Sequence, residues 1–321
     1  MLCFWLPLST ASTLAPSAIV IGGSSGMGKA AAIAVASRGG SVLLASRTQA
    51  KLDSAADEIR REVPDAELTT RVLDARDEAA VRAFGEELER SADRWDALIC
   101  TAAGRAPHGP IGELDTADTA GLFDSKFWTA HNVCKHVAPR LTDGGAVALT
   151  AGLLNRRPGM NCSPLAAVNG ALEGLTRALA LEFGPRLRVN CLSPGFCDTE
   201  RFDHMPAERK AAMLANTAAS LPLRRVGAPS DSMPLPWGSI DRPADQPNLP
   251  LTRLRPISGQ WARRSTTSSA LPSSRASCST ATVATISVST RMPRLTRCGR
   301  VPSRMQAMSS FVPGENRRVE G

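Results

Sequence analysis

A glycine-rich turn near the start of the chain has the composition of an anion-binding turn. Residues 18–28 read AIVIGGSSGMG, and the helix-forming run KAAAIAVASRG follows. A strand would deliver the turn to a sheet edge, and the helix behind it would point unpaired N–H groups and its positive dipole end at a ligand. Glycine also serves packing at such corners, but a second strand, SVLLA, about 20 residues further on completes a βαβ unit. We therefore expect a nucleotide pyrophosphate at this turn.

The elements that must position this turn alternate along the first two thirds of the chain. Five further apolar runs follow it: SVLLA (41–45), ELTTRVL (67–73), DALICT (96–101), GAVALT (145–150) and RLRVNCL (186–192). Helical segments of crossover length separate them: KLDSAADEIRREV, DEAAVRAFGEELERSA, TAGLFDSKFWTAHNVCKHVA and LAAVNGALEGLTRALALEF. This alternation predicts an α/β fold with a doubly wound, mainly parallel sheet and helices on both faces. Ligands of such sheets bind at the carboxyl ends of the strands.

The composition is that of a globular protein in a reducing compartment. The chain has 321 residues, and 43% of them are hydrophobic, which is enough for a real core. No run approaches the roughly 18 to 20 apolar residues of a membrane span, and the opening MLCFWLPLSTAS lacks the basic region of a signal peptide. We interpret residues 1–17 as an N-terminal extension.

Eight cysteines without a C-x-x-C pair suit reduced thiols, and we predict a cytoplasmic protein that does not bind membranes.

The positive net charge lies at one end of the chain. Residues 233–321 contain thirteen arginines, no lysine and four acids, so the remainder carries 25 basic and 26 acidic residues. The part that should fold is therefore near neutral and gives no case for nucleic-acid binding.

Five motifs in order resemble the short-chain dehydrogenase/reductase family over about residues 17–230. They are IGGSSGMG for the T-G-x-x-x-G-x-G turn, TAAG (101–104) for N-N-A-G, ALEGLTRALALE (171–182) for the long helix after the active site, RVNCLSPGFCDT (188–199) for the R-V-N…P-G…T element and PLRRVGAPSD (222–231) for a late R-x-G-x-P-x-D turn. The resemblance implies a single Rossmann-type domain, here residues 18–232, with a nicotinamide cofactor. It also implies homo-oligomers, although the divergent sequence after residue 232 makes them doubtful for this form.

The cofactor residues follow from these motifs and from the ends of the strands. The second strand ends in Ser46 and Arg47 with no carboxylate for a ribose 2′-hydroxyl, and Arg47 suits a 2′-phosphate instead, which favours NADP(H) over NAD(H). Arg47 could also be a solvated loop cation. Asp74 stands where the family meets the adenine, or it caps the next helix. The other expected cofactor contacts are Gly22, Ser24, Ser25, Gly26, Met27, Gly28, Ala102, Ala103, Gly104, Pro194, Gly195, Phe196 and Thr199.

The family's catalytic residues are replaced throughout. The chain has no tyrosine, and counting back from ALEGLTR places Leu165 at the position of the family's tyrosine and Asn169 at that of its lysine. The serine position falls near Gly152, so Thr150 offers the nearby hydroxyl, and Lys126 stands for the asparagine of the fourth helix. Lysine and asparagine are thus exchanged between two helices.

A cation can still enter the same pocket after this exchange. We hypothesise that Lys126 supplies an ammonium whose pKa desolvation lowers, and that Asn169 and Thr150 orient the substrate oxygen. The alternative is that Lys126 pairs with Asp124 or with solvent. Arg156 and Arg157, in the following loop, would clamp an acidic or carbonyl group, or they are only exposed charges.

No metal site is predicted. His131 and His136 are five residues apart and fall on different faces of a helix. His108 and His204 lie in loops near the expected mouth of the site and are weak acid/base candidates.

From about Met233 the sequence is rich in Ser, Thr, Pro and Arg and has no helical or strand periodicity. As written, it is a low-complexity tail. The resemblance implies a last helix and a seventh strand that ends in a D-G-G motif, and neither is present in the tail, so we expect an unpaired sheet edge. Yet residues 274–288, SRASCSTATVATISV, back-translate with suitable codons and read from the third base as TGVVLDCDGGHHLG, which has the missing D-G-G. We hypothesise that the tail is an out-of-frame reading.

Two functions remain open from sequence. The first is an NADP(H)-dependent oxidoreductase that interconverts a carbonyl and an alcohol, or reduces a related double bond, on a small organic substrate. The alternative is an NADP(H)-binding protein without catalysis that acts as a regulatory or scaffold partner, which the absent tyrosine and lysine favour.

Overall fold

A computed structural model describes residues 16–232 and 284–287. The sheet has seven strands in the order β3-β2-β1-β4-β5-β6-β7. The strands are β1 Ala18–Ile21, β2 Val42–Ser46, β3 Leu68–Val72, β4 Ala97–Cys100, β5 Ala146–Thr150, β6 Arg188–Ser193 and β7 Ala284–Ser287. Strands β1 to β6 are parallel. The strand order reverses at β1, because β2 and β3 lie on one side of it and β4 on the other. The predicted α/β, Rossmann-type fold is confirmed.

Helices cover both faces of the sheet, as the crossover lengths predicted. They are α1 Gly26–Ala36, α2 Gln49–Glu62, α3 Glu78–Arg90, α4 Thr116–Phe123, α5 Thr129–His136, α6 Ser163–Glu182, α7 Ala207–Ser220 and α8 Pro229–Ser232. Alternate strand residues feed two separate cores. Ile19, Leu98 and Leu149 pack on one face with α3, α5 and α6, and Val20 and Leu44 pack on the other with α1 and α2. Among the described residues, no helix is long and apolar enough to cross a membrane.

The fourth predicted helix is interrupted by a wider turn. Residues Asp124–Trp128 form a π-helical turn between α4 and α5. The extra residue in such a turn changes the direction in which the following side chains project. Lys126 lies in the middle of this turn and is only 6% exposed.

The expectation of an unpaired edge at β6 is wrong. Ala284–Ser287 pairs antiparallel with β6, from Asn190 opposite Ser287 to Ser193 opposite Ala284. Four residues are too short for a periodic signal, and a pairing across more than ninety residues of sequence leaves no local trace. The predicted N-terminal extension and almost all of the predicted tail lie outside the described residues.

Candidate active site

The glycine turn carries β1 directly into α1 with almost no free space. A methyl group built on Gly28 would lie 2.2 Å from the carbonyl oxygen of Gly22, so this glycine is required for the close approach of helix and turn. Gly26 has φ +51°, the left-handed region, and its missing Cβ faces Thr199. The N-cap residue Ser25 makes no side-chain hydrogen bond to the helix. The first N–H groups of α1 are therefore left for other acceptors.

A carboxylate already occupies this helix terminus. The Gly26 N–H donates to Glu200 Oε2 at 2.7 Å, and Lys29 Nζ lies 2.8 Å from Glu200 Oε1. Lys29 also contacts Glu58 at 2.5 Å. Although burial opposes ionisation, hydrogen bonds from Lys29 and from backbone N–H groups hold the pKa of Glu200 below its ordinary value. The turn thus accepts an anion, as a diphosphate site requires.

The loops after β4 and β6 border the turn. A methyl group built on Gly22 would lie 2.8 Å from the Ala102 nitrogen, and one built on Gly104 would lie 2.5 Å from Ser125 Oγ. Thr199 contacts the turn at Gly26. The remaining predicted members, Ala103, Pro194, Gly195 and Phe196, lie in the same two loops.

The end of β2 leaves a cation exposed beside a carboxylate. Arg47 is exposed directly after β2, with Ser46 half-buried before it. Asp74 does not cap α3, because Asp77 does so by accepting from the N–H groups of residues 79 and 80. Asp74 instead binds Arg76, with 2.9 Å between Oδ1 and Nε, and this contact lowers its pKa.

Lys126 and Asn169 meet in the pocket on the α5–α6 face. Lys126 Nζ donates to Asn169 Oδ1 at 2.6 Å and to the carbonyl oxygen of Ala151 at 2.8 Å. Both side chains are buried, at 6% and 1% exposure. Lys126 therefore does not pair with Asp124 or with bulk solvent.

Burial, assisted by the charge of Arg201, lowers the pKa of Lys126 to about 7. Near neutral pH the group is then both ammonium and amine. An ammonium has three N–H donors, and the two oxygens account for two of them. Among the residues that the structure describes, no named hydrogen bond uses the third.

Asn169 also fills the space beside Gly152, near which the resemblance predicts a serine. A methyl group built on Gly152 would lie 2.9 Å from Asn169 Nδ2, so the asparagine amide uses the space that a side chain at 152 would need. Thr150 is 9% exposed at the end of β5. Strand alternation places it on the face of Ala148, whereas Leu149 and Ala151 face the pocket side. The structure brings Lys126 and Asn169 together and records no contact of Thr150 with either.

The loop over the pocket is tied to α6. Arg156 Nε lies 3.1 Å from Glu173 Oε1, and Ser193 Oγ donates to the same carboxylate at 3.0 Å. Arg156 is thus paired within the protein, whereas sequence reasoning considered it for a substrate clamp. Glu173 itself was not anticipated, although its position one helical turn after Asn169 is a signal that it faces the same way.

The histidines stay apart. His136 Nε2 contacts Glu78 at 3.0 Å, and His204 Nδ1 lies 2.9 Å from the carbonyl oxygen of Arg201. Within residues 16–232 and 284–287, no cluster of three metal-binding side chains occurs.

Known proteins share this arrangement of elements. The family model described as Enoyl-(Acyl carrier protein) reductase matches residues 22–233. An uncharacterized oxidoreductase of Mycobacterium tuberculosis is 30% identical over 217 residues, which are 67% of this chain and 81% of the relative. The NADPH-dependent reductase BacG of Bacillus subtilis is 26% identical over 229 residues, with 68% of this chain and 88% of the relative covered.

Two solved structures agree with these relatives. A small-chain dehydrogenase in complex with NADPH is 31% identical, with 72% of this chain and 93% of that chain covered and a TM-score of 0.59. An NADPH-bound short chain oxidoreductase from Pseudomonas aeruginosa PAO1, titled as containing an atypical catalytic center, is 25% identical, covers 72% and 92%, and has a TM-score of 0.65. This chain belongs to the short-chain dehydrogenase/reductase family of oxidoreductases.

Proposed function

We propose that this protein is an NADP(H)-dependent oxidoreductase that interconverts a carbonyl and an alcohol, or reduces a related double bond, on a small organic substrate. In this proposal Lys126 gives and takes the proton. The observation that carries it is the buried Lys126 side chain, held by Asn169 Oδ1 and the Ala151 carbonyl at the carboxyl ends of the central strands.

The residues present fit the cofactor. The first N–H group of α1 already binds a carboxylate, Gly26 leaves the approach open, and Arg47 stands at the end of β2 where a 2′-phosphate would meet it. Relatives whose names or titles include NADPH support the same choice. When bound, the cofactor supplies the hydride chemistry, and the chain's own residues bind, orient and protonate.

Lys126 takes the role of proton donor in reduction and of proton acceptor in oxidation. A group is most effective in both directions when its pKa lies near the working pH, and the pKa of Lys126 is about 7. Asn169 is a positioning residue, because its Oδ1 fixes the direction of the Lys126 side chain. Thr150, as a second group to orient the substrate oxygen, remains a prediction from sequence.

The test is Lys126→Met, which keeps most of the length of the side chain and removes the ionisable amine. We expect kcat to fall by about 10²-fold or more for carbonyl reduction. The Kd for NADPH should change less than about threefold, because Lys126 bonds to Asn169 and Ala151 and not to the glycine turn. Consumption of NADPH against a panel of ketones measures kcat. Quenching of protein fluorescence or calorimetry measures the Kd for NADPH.

Lys135→Met is the matched control, because Lys135 lies on the same helical stretch but is exposed and pairs with Glu78. It should leave kcat unchanged. A Lys126→Met enzyme within a few-fold of wild type would remove Lys126 from the mechanism. A wild-type protein that binds NADPH and turns over no substrate in the panel would favour the non-catalytic alternative.

A further inference from the structure

A second feature of the glycine turn concerns the carboxylate that lies on it. Glu200 comes 174 residues after Gly26 in the chain, yet its Oε2 accepts the Gly26 N–H at 2.7 Å. Its Oε1 lies 2.8 Å from Lys29 Nζ, one helical turn into α1. Both carboxylate oxygens are therefore used at the N-terminus of α1, where the helix dipole favours negative charge.

Arg201, the neighbour of Glu200 in the chain, contacts the loop after β4. Arg201 Nη2 donates to the carbonyl oxygen of Gly104, in the loop after β4, at 3.3 Å. Glu200 and Arg201 belong to one short turn, Glu200–Phe202. This short turn thus contacts both the glycine turn and the loop after β4, the two segments from which we expect contacts to the cofactor.

We propose that Glu200 is an internal competitor for the cofactor diphosphate, and that Lys29 is the diphosphate ligand that Glu200 holds in readiness. This inference rests on the proposed NADP(H) site. A diphosphate oxygen and a carboxylate oxygen use the same donors, the Gly26 N–H and the Lys29 ammonium. Both anions cannot accept the same N–H group, so cofactor binding requires the Glu200 side chain to leave.

Lys29 is already placed for the exchange. Its ammonium lies between Glu200 and Glu58, and although burial lowers the pKa of Lys29, the hydrogen bonds that it donates to these two carboxylates raise that pKa above its ordinary value. The side chain is 19% exposed, so it is partly ordered before any ligand arrives. After Glu200 leaves, Glu58 still holds the ammonium beside the helix terminus, and the incoming phosphate takes the place of Glu200.

The first test is the Kd for NADPH of Glu200→Gln, measured by fluorescence titration at fixed ionic strength. Glutamine keeps the shape and removes the charge, so the competitor is weakened and NADPH should bind about tenfold more tightly, since charge-assisted hydrogen bonds are about twice as strong as neutral ones. Glu200→Ala should tighten binding in the same direction. Adenosine 2′-monophosphate, which has no diphosphate, should bind all three proteins equally.

Glu58→Gln is the matched control. Glu58 is the other carboxylate on Lys29, whereas the Gly26 N–H donates to Glu200, so the loss of the Glu58 charge should not tighten NADPH binding. In the Glu200→Gln background, Lys29→Met should weaken NADPH binding by about tenfold, because the diphosphate then loses its ammonium partner.

The outcomes separate this inference from the proposed function. If wild type binds NADPH and Glu200→Gln binds it equally or more weakly, Glu200 is not a competitor. If Lys29→Met leaves the Kd unchanged, Lys29 is not a diphosphate ligand. If neither wild type nor Glu200→Gln binds NADPH while both unfold cooperatively on heating, the proposed function itself fails. Binding by Glu200→Gln alone would support the competition.

Discussion

Lys126 and Asn169, which the resemblance to the family predicts to be exchanged in position, form one unit. The lysine comes from the π-helical turn and the asparagine from α6, and a 2.6 Å hydrogen bond joins them. The asparagine supplies an acceptor that helps to offset the cost of burying an ammonium. The hydrogen bond therefore keeps a cation beside Asn169, although no tyrosine is present anywhere in the chain.

This burial predicts a pH-dependent stability. The pKa of Lys126 is about 7 in the folded protein and about 10.4 in an unfolded chain. Between these values the unfolded state binds more protons, so the free energy of unfolding rises with pH, by at most about 1.4 kcal/mol per pH unit. We expect the difference in unfolding free energy, wild type minus Lys126→Met, to increase by roughly 1 kcal/mol per unit from about pH 7 to about pH 9.

Urea unfolding of wild type and Lys126→Met at several pH values across this range measures the difference in unfolding free energy. The contributions of the other titrating groups are the same in both proteins and cancel. A difference that stays constant would mean that the pKa of Lys126 is not lowered by burial. A raised pKa would also leave the difference constant in this range, because its effect would be lost only above about pH 10.4.

At the residue scale, sequence reasoning found some contacts and missed others for a physical reason. The cation at position 126 could be predicted to enter the pocket, because the family's motifs fix its place along the helix. The contact of Glu200 with Gly26 could not be predicted, since nothing local in the sequence records which carboxylate reaches a helix terminus 174 residues away. The contact between Arg156 and Glu173 could not be predicted either, because the two residues are 17 positions apart in the chain.

At the scale of elements, α6 carries more than the pocket asparagine. One side of it holds Asn169, and the next turn holds Glu173, whose carboxylate anchors the loop through Arg156 and β6 through Ser193. Glu173 is 5% exposed, so these two partners offset the cost of burying its carboxyl group. The loop over the site is therefore attached to the helix that positions the site.

Replacing Arg156, the loop's partner in the ion pair with Glu173, should destabilise the protein. Arg156→Met leaves the buried Glu173 carboxylate with Ser193 alone among its named partners, and we expect a loss of about 2 kcal/mol in the free energy of unfolding, because an unpaired buried charge is costly. Glu173→Gln should cost less, since Arg156 is 40% exposed and water can solvate it. Thermal or urea unfolding measures both.

Arg177→Met, on an exposed position of the same helix, is the control and should change the unfolding free energy by less than about 0.5 kcal/mol. An Arg156→Met protein as stable as this control would mean that the ion pair contributes nothing to holding the loop.

The periodicity of the sequence was sufficient to place β1 to β6 and the crossover helices, because amphipathic spacing is a local property. The π-helical turn was not predicted, since residues 119–138 have continuous helical character. The helix α7, Ala207–Ser220, was also missed: none of its residues is fully buried, so its sequence has no strong apolar face.

At the scale of the whole molecule, the sheet ends on β7, which differs from the other strands. It has four residues and runs antiparallel to β6, whereas β1 to β6 are parallel. Its residues, ATIS, fall inside the segment 274–288 that, with suitable codons and read from the third base, back-translates to TGVVLDCDGGHHLG. A sheet otherwise built from parallel crossovers thus acquires its last strand from a stretch whose frame we hypothesise to be shifted.

This hypothesis makes a prediction about the transcript and about stability. Transcript sequencing should show a slipped base or a retained intron between the codons for about residue 232 and residue 274, and the corrected chain should carry VVLD followed by D-G-G. Its more apolar strand would pair with the β6 edge more stably, which reduces pairing with other chains. We therefore expect the corrected chain to stay monodisperse at higher concentration and to unfold at a higher temperature than the chain of 321 residues. Transcripts that encode the 321-residue chain unchanged, or a corrected chain no more stable than the present one, would show that β7 as observed is the true edge of the sheet.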